Sequence, residues 1–185
     1  MASSFKIDSF TAKLKKGGAL GSLFECELTK NQGTASGFQA TDFKFLCKGA
    51  SFPASTIEAG TITYMGRSIN IPGNRAAGQL TTSIYNDEGM EIRNMIENWM
   101  EKLNSHSSNV RASGLSTINS YTGEIKLKQL AKEGVAITKS YQFMDVWPSS
   151  TGEIAVSWDT NEIQTYDVTW EYSYWRSNQS NVGFG

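Results

Sequence analysis

Thr61-Ile62-Thr63-Tyr64-Met65-Gly66-Arg67-Ser68-Ile69-Asn70-Ile71 is the stretch on which the reading of this chain turns. Placing Met65-Gly66 at the two central positions of a tight turn sets Tyr64 opposite Arg67, Thr63 opposite Ser68 and Ile62 opposite Ile69. Gly60, Ile62, Ile69 and Ile71 then share one face with Tyr64 and Arg67, and Thr61, Thr63, Ser68 and Asn70 share the other. A one-residue slip would scramble both faces, so the alternation itself supports the register. It also sets Ile62, Ile69 and Ile71 toward a core, so Asp at Ile69 or Ile71 is expected to prevent a soluble fold or assembly.

Working outward, Leu80 to Tyr85 continues the strand pattern, with Leu80, Thr82 and Ile84 opposite Thr81, Ser83 and Tyr85. The pattern then changes period. From Asp87 to Leu103, Ile92, Met95, Ile96, Trp99, Met100 and Leu103 form one stripe, and Glu91, Arg93, Asn94, Glu97, Asn98, Glu101 and Lys102 fill the opposite side. This is an amphipathic helix packed on a sheet. Asn86 or Asp87 can cap it, Glu88 suits its positive end, and Asn104-Ser105 ends it.

Residues 104–123 are rich in Ser, Asn and Gly and read as a long loop. Strands resume at 124–130, 135–146, 154–158 and 163–175. In the last, Val168, Trp170, Tyr172 and Tyr174 alternate with Thr169, Glu171, Ser173 and Trp175. Aromatics on both faces call for cover on both, from a filled core or from a neighbouring subunit. The chain therefore reads as mainly β, with one flanking helix at about 87–103. It forms a single domain over 1–185, with a mobile N-terminal segment.

The chain has 185 residues, enough to bury a sizeable core. Its net charge is −1, from 17 Lys and Arg against 18 Asp and Glu, which excludes the basic stripe of a nucleic-acid binder. The short basic run Lys13, Lys15 and Lys16 reads as a solvated segment, and Gly17-Gly18-Ala19-Leu20-Gly21 as a flexible turn without a P-loop lysine. Cys26 and Cys47 stand too far apart in sequence for a metal knuckle or a redox pair, and Cys47, in the apolar run Phe43 to Cys47, reads as a buried thiol. One histidine, His106, falls in the polar loop. No nucleophile motif, zinc spacing or paired carboxylates stand out, so no catalytic, cofactor or metal residue is assigned. Nothing approaches the roughly 20 apolar residues of a membrane span, and the first residues lack the apolar run of a secretory signal. A small-ligand-binding β-barrel and an enzyme with fold-gathered acids are the competing classes. The first predicts aromatics around a pocket, the second several acids in one cleft.

An ordered pattern runs through Phe52-Pro53-Ala54-Ser55-Thr56-Ile57, then Tyr64-Met65-Gly66-Arg67-Ser68-Ile69-Asn70-Ile71-Pro72-Gly73-Asn74-Arg75. It continues in Ile84-Tyr85-Asn86-Asp87-Glu88 and in Arg93-Asn94 and Glu97-Asn98-Trp99-Met100. This pattern resembles the tail tube proteins of T-even-like contractile bacteriophages. The resemblance implies a β-sandwich or barrel-like subunit flanked by that helix, and a structural virion protein, not an enzyme. Such subunits join into hexameric rings that stack into a hollow inner tube, a passive conduit for DNA within a contractile sheath. The implied partners are further copies of the chain, the tail sheath protein, the baseplate and tail terminator proteins, and a tape-measure protein. DNA would pass without specific binding, and assembly would take place in the host cytoplasm. Type VI secretion and tailocin-like tubes share this physics. Arg67, Ser68, Asn70, Arg75, Trp170, Tyr172 and Tyr174 are the subunit-interface candidates.

Overall fold

A computed structural model describes residues 7–14, 17–29, 40–159 and 161–178. In chain order these form α1 (Ile7–Lys13), β1 (Phe24–Thr29), α2 (Ala40–Leu46), β2 (Cys47–Ala50), β3 (Thr56–Tyr64), β4 (Arg67–Ala76), β5 (Gln79–Tyr85), α3 (Glu91–Leu103), α4 (Ile118–Tyr121), β6 (Gly123–Leu130), β7 (Ile137–Thr151), β8 (Thr165–Glu171) and β9 (Tyr174–Ser177). The expected β architecture with a helix on one flank is present. Three further short helices accompany it, each too short for its period to be read from sequence.

One antiparallel sheet runs β1-β6-β7-β8-β5-β2, with β9 added on β7, and β3-β4 stand apart as a two-stranded sheet. The long strand β7 joins the two halves of the sandwich. Its first part pairs with β9 through Met144 and with β6 through Val146, and Trp147 to Thr151 pair with β8. Asp145 lies just before this change of partner, in the left-handed region at φ 57°. A register shift between Pro148 and Ser150 places the proline at a bulge, where the missing N–H costs no ladder bond.

The core lies between the two halves. Inward residues alternate along β5 (Leu80, Thr82, Ile84) and β8 (Tyr166, Val168, Trp170), all at 3 % exposure or less. Trp170 is the hub, with Phe43 edge-on at 6.2 Å and Trp99 of α3 at 6.0 Å. Its indole N–H donates to Thr82 Oγ1 at 2.9 Å, which explains a threonine in an otherwise apolar row. Helix α3 buries Ile92, Ile96 and Trp99, the centre of the expected stripe. Trp99 Nε1 donates to the Tyr121 carbonyl at 2.8 Å and so ties α4 to the sandwich. A Cβ on Gly123 would stand 3.0 Å from Trp99 and 3.1 Å from the Thr29 carbonyl, so glycine permits this close approach.

Several expectations are corrected. Helix α3 starts at Glu91, later than expected, because Asp87 to Met90 form a turn first. The N-cap position falls to Met90, left-handed at φ 51°, in place of the expected Asn86 or Asp87, while Asp87 Oδ1 accepts from the Glu91 N–H at 3.2 Å from within the preceding turn. Residues 154–158 are not a strand; Val156 and Trp158 project outward, fully so at Trp158. The segment 163–175 is two strands. The chain breaks at Tyr172-Ser173, where Ser173 N–H donates to the Met144 carbonyl, and the alternation inverts. Tyr172 stays inside, Tyr174 turns outward and Trp175 turns in against the core. Within the long loop, Thr117 opens α4 through a capping box with Ser120, and Leu115 is buried. The N-terminal residues 1–6, and Lys15 and Lys16, lie outside the described residues.

Arg93, on the polar side of α3, is partly covered and multiply engaged. Nε pairs with Glu97 at 2.8 Å, one terminal nitrogen donates to the Gly152 carbonyl at 3.1 Å, and the guanidinium lies 5.2 Å from the Tyr166 ring centre. Burial pushes the Tyr166 phenol up to about 12.

Candidate assembly interface

The β3-β4 hairpin has the register read from sequence, Tyr64↔Arg67, Thr63↔Ser68, Ile62↔Ile69, Thr61↔Asn70 and Gly60↔Ile71. Met65 and Gly66, at φ 47° and 77°, make the doubly left-handed turn whose twist suits a two-residue hairpin. Beyond Ile71 the pairing continues to Thr56↔Ala76, through a register shift between Ile57 and Ala59. Pro72 and Gly73 sit there, and a Cβ on Gly73 would stand 3.0 Å from the Glu58 carbonyl.

The faces are not where the alternation alone would put them. Ile62 and Ile69 are more than half exposed, Ile71 is 43 % exposed, and no residue of either strand is buried. The expectation that Ile62, Ile69 and Ile71 face the subunit core is therefore corrected. The period-2 pattern is real, but the surface it makes lies outside the subunit. Alternation reports that one face is apolar; it does not report what covers that face.

Arg67, Ser68, Asn70 and Arg75 are all exposed on this hairpin, and the Thr61 hydroxyl donates to Asn70 Oδ1 at 3.3 Å. Trp170 and Tyr172 are elsewhere. Both are enclosed by the subunit itself, Tyr172 with its ring 5.0 Å from Phe143 and its hydroxyl accepting from the Gly78 N–H at 3.2 Å. The aromatic strand needs no neighbour to cover it at these positions. Tyr174 is exposed, and Arg176 both stacks on its ring at 5.3 Å and donates to its hydroxyl at 3.3 Å.

A second surface lies between α3 and β7. A cleft of about 540 Å³ is floored by Met100, Trp147 and Pro148 and rimmed by Glu97, Glu101 and His106. Glu101 accepts from the His106 backbone N–H at 3.1 Å, and hydrogen bonds from Ser105 and His106 hold its carboxyl below the usual range. Sequence reasoning passed over this cleft, because Trp147 falls at the point where β7 changes partners and its neighbours across the cleft come from a distant helix.

The core aromatics pack on one another instead of lining a cavity, which removes the basis of the ligand-barrel reading. The acids of β1 are neutralised. Glu25 pairs with Lys44 and with Lys128 at 3.0 Å, and Glu27 with Lys128 at 2.7 Å. Among the described residues no three His, Cys, Asp or Glu side chains are grouped to hold a metal.

A family model described as phage tail tube protein matches residues 19–178. The chain belongs to the phage tail tube protein family. Tail tube protein gp19 of Enterobacteria phage T4 is 28% identical over 171 residues, covering 91% of this chain and 98% of its own length. Its counterpart from Enterobacteria phage T6 matches to the same extent. Two solved structures share the fold. A chain of the PVC extracellular contractile injection system sheath-tube complex gives a TM-score of 0.62 at 12% identity, covering 90% of this chain and 96% of that one. A chain of the anti-feeding prophage tube terminating cap gives 0.60 at 16% identity, covering 86% and 89%. The protein is thus a structural component of a phage tail, not an enzyme.

Proposed function

We propose that this subunit builds its tube through the β3-β4 hairpin, which adds its two strands to the sheet of the next subunit around a ring. The observation that carries this is a hairpin with an apolar face that the described residues of its own subunit leave bare. A two-stranded hairpin alone is marginal in water, and an exposed edge pairs readily with another chain. Closing such pairings around a ring removes the free edges and covers Ile62, Ile69 and Ile71. Arg67, Ser68, Asn70 and Arg75 supply the polar contacts at the rim of this joint, and Tyr174 a further contact. Six subunits close each ring, and rings stack into a hollow tube.

The tail sheath protein packs outside this tube, and baseplate and tail terminator proteins bound its ends. Solved relatives in sheath-tube, terminator and baseplate assemblies support this arrangement. A tape-measure protein and then DNA occupy the lumen, in a virion assembled in the host cytoplasm. A chain with net charge −1 offers passing phosphates no general attraction. Negative-stain imaging of the purified protein tests the reading. Rings or filaments of uniform width support it, whereas a monomer that never assembles, even when seeded with baseplate, overturns it.

A further inference from the structure

The sheet order leaves β1 at one end and β2 at the other, with no β1-β2 ladder among the described residues. The ends nevertheless meet. Helix α2 packs on β1 and runs directly into β2. Lys44 of α2 reaches across the seam to Glu25 and, at 4.0 Å, to Glu27, the two residues flanking Cys26. Three residues after Lys44 comes Cys47. Cys26 and Cys47 are both buried, both free, and belong to the same core cluster. Their thiols are in hydrogen-bond contact.

We propose that Cys26 and Cys47 form a latent disulfide site, which a two-electron thiol oxidant closes to staple the open seam of the sandwich. Sulfurs in hydrogen-bond contact are within roughly 2 Å of covalent S–S separation, a gap that side-chain rotation can close. No ladder fixes the two backbones at a set spacing, so they can adjust to the bond. The two thiols also divide the work. The hydrogen bond from Cys26 pulls Cys47 below the ordinary thiol value, and that same bond together with burial pushes Cys26 up. Cys47, 8% exposed against 1% for Cys26, is the thiol an oxidant reaches first. With the azo oxidant diamide, its thiolate adds to one N=N nitrogen and the other nitrogen takes up a proton. Cys26 sulfur then attacks Cys47 sulfur and gives up its own proton. The S–S bond forms, the S–N bond breaks, and the oxidant leaves as a hydrazine carrying two hydrogens. The staple closes a loop of about 20 residues and so restricts the unfolded chain. It joins the ends of the sheet, leaves the β3-β4 hairpin untouched, and does not depend on how the subunits assemble.

The test is diamide treatment of the folded full-length protein, followed by non-reducing peptide mapping, intact mass and thermal unfolding. The expected result is loss of two hydrogens per chain, a peptide pair joined through Cys26 and Cys47, and a midpoint several degrees higher that returns to the reduced value on adding a thiol. Cys26→Ala and Cys47→Ala should each abolish all three changes. The wild-type map decides the matter even if a variant folds poorly. Cross-linking seen only in denaturant, only between chains, or with a lowered midpoint would overturn the proposal.

Discussion

The β5-β8 pair and the β3-β4 hairpin are both regular antiparallel ladders, and each has one apolar face. In the first, Leu80↔Trp170, Thr82↔Val168 and Ile84↔Tyr166 face inward, and α3 and α2 deliver Trp99 and Phe43 onto them. In the second, Ile62↔Ile69 and Gly60↔Ile71 face outward, with no second layer over them among the described residues. The difference is that the subunit covers one apolar face and leaves the other exposed. One ladder stabilises the subunit, and under the proposed function the other is held in reserve for a neighbour. A variant of the first should therefore fail before assembly, and a variant of the second only at assembly.

The largest effect should follow Trp170→Ala. Emptying the hub and orphaning the Thr82 hydroxyl should cost about 3–5 kcal/mol, read as a shifted urea midpoint of the free subunit. If the midpoint scarcely moved, the core would not be organised around this ring. Gly123→Ala should cost about 1–3 kcal/mol in the same assay, because the new methyl meets the Trp99 ring and the Thr29 carbonyl together. Ile69→Asp should reverse the sense of the comparison. On a surface already open to water it should change subunit stability by no more than about 0.5 kcal/mol, yet abolish rings and filaments in negative stain. An Ile69→Asp subunit that unfolded would return the hairpin to the core, where alternation alone had set it.

The smallest effect concerns the seam. Lys44, against the opposing pull of burial, and then Lys128 hold the Glu25 carboxyl below its ordinary value of 4.5. A carboxylate depressed in the folded state adds stability above its unfolded pKa and loses it as pH falls through the folded one. Acid unfolding should therefore steepen below pH 4.5, and Glu25→Gln should flatten that limb while leaving the hairpin's behaviour unchanged. An unaltered acid limb in the variant would mean the ion pairs across the seam add nothing.

How much of this was legible in the sequence depended on how local each determinant is. The hairpin register was, because a two-residue turn at Met65-Gly66 fixes every pair up to Gly60↔Ile71. The stripe of α3 was, because six apolar residues repeat at helical spacing. The break at Tyr172-Ser173 was not: an aromatic at every second position continues across it, and only the pairing of β9 with β7 inverts the faces. Nor was the contact between Cys26 and Cys47, which arises where the two ends of a sheet curl together. Of the interface candidates, Arg67, Ser68, Asn70 and Arg75 of the hairpin stand exposed, whereas Trp170 and Tyr172 were named for aromatic density that their own core absorbs. Pattern gives the face; only the tertiary structure gives the neighbour.

Amide hydrogen exchange, compared between the free subunit and the assembled tube, tests the division of the two ladders most directly. The account predicts that β5 and β8 are protected in both states, while amides of β3 and β4 exchange fast in the subunit and become strongly protected in the tube. Hairpin amides that stay equally fast after assembly would contradict it.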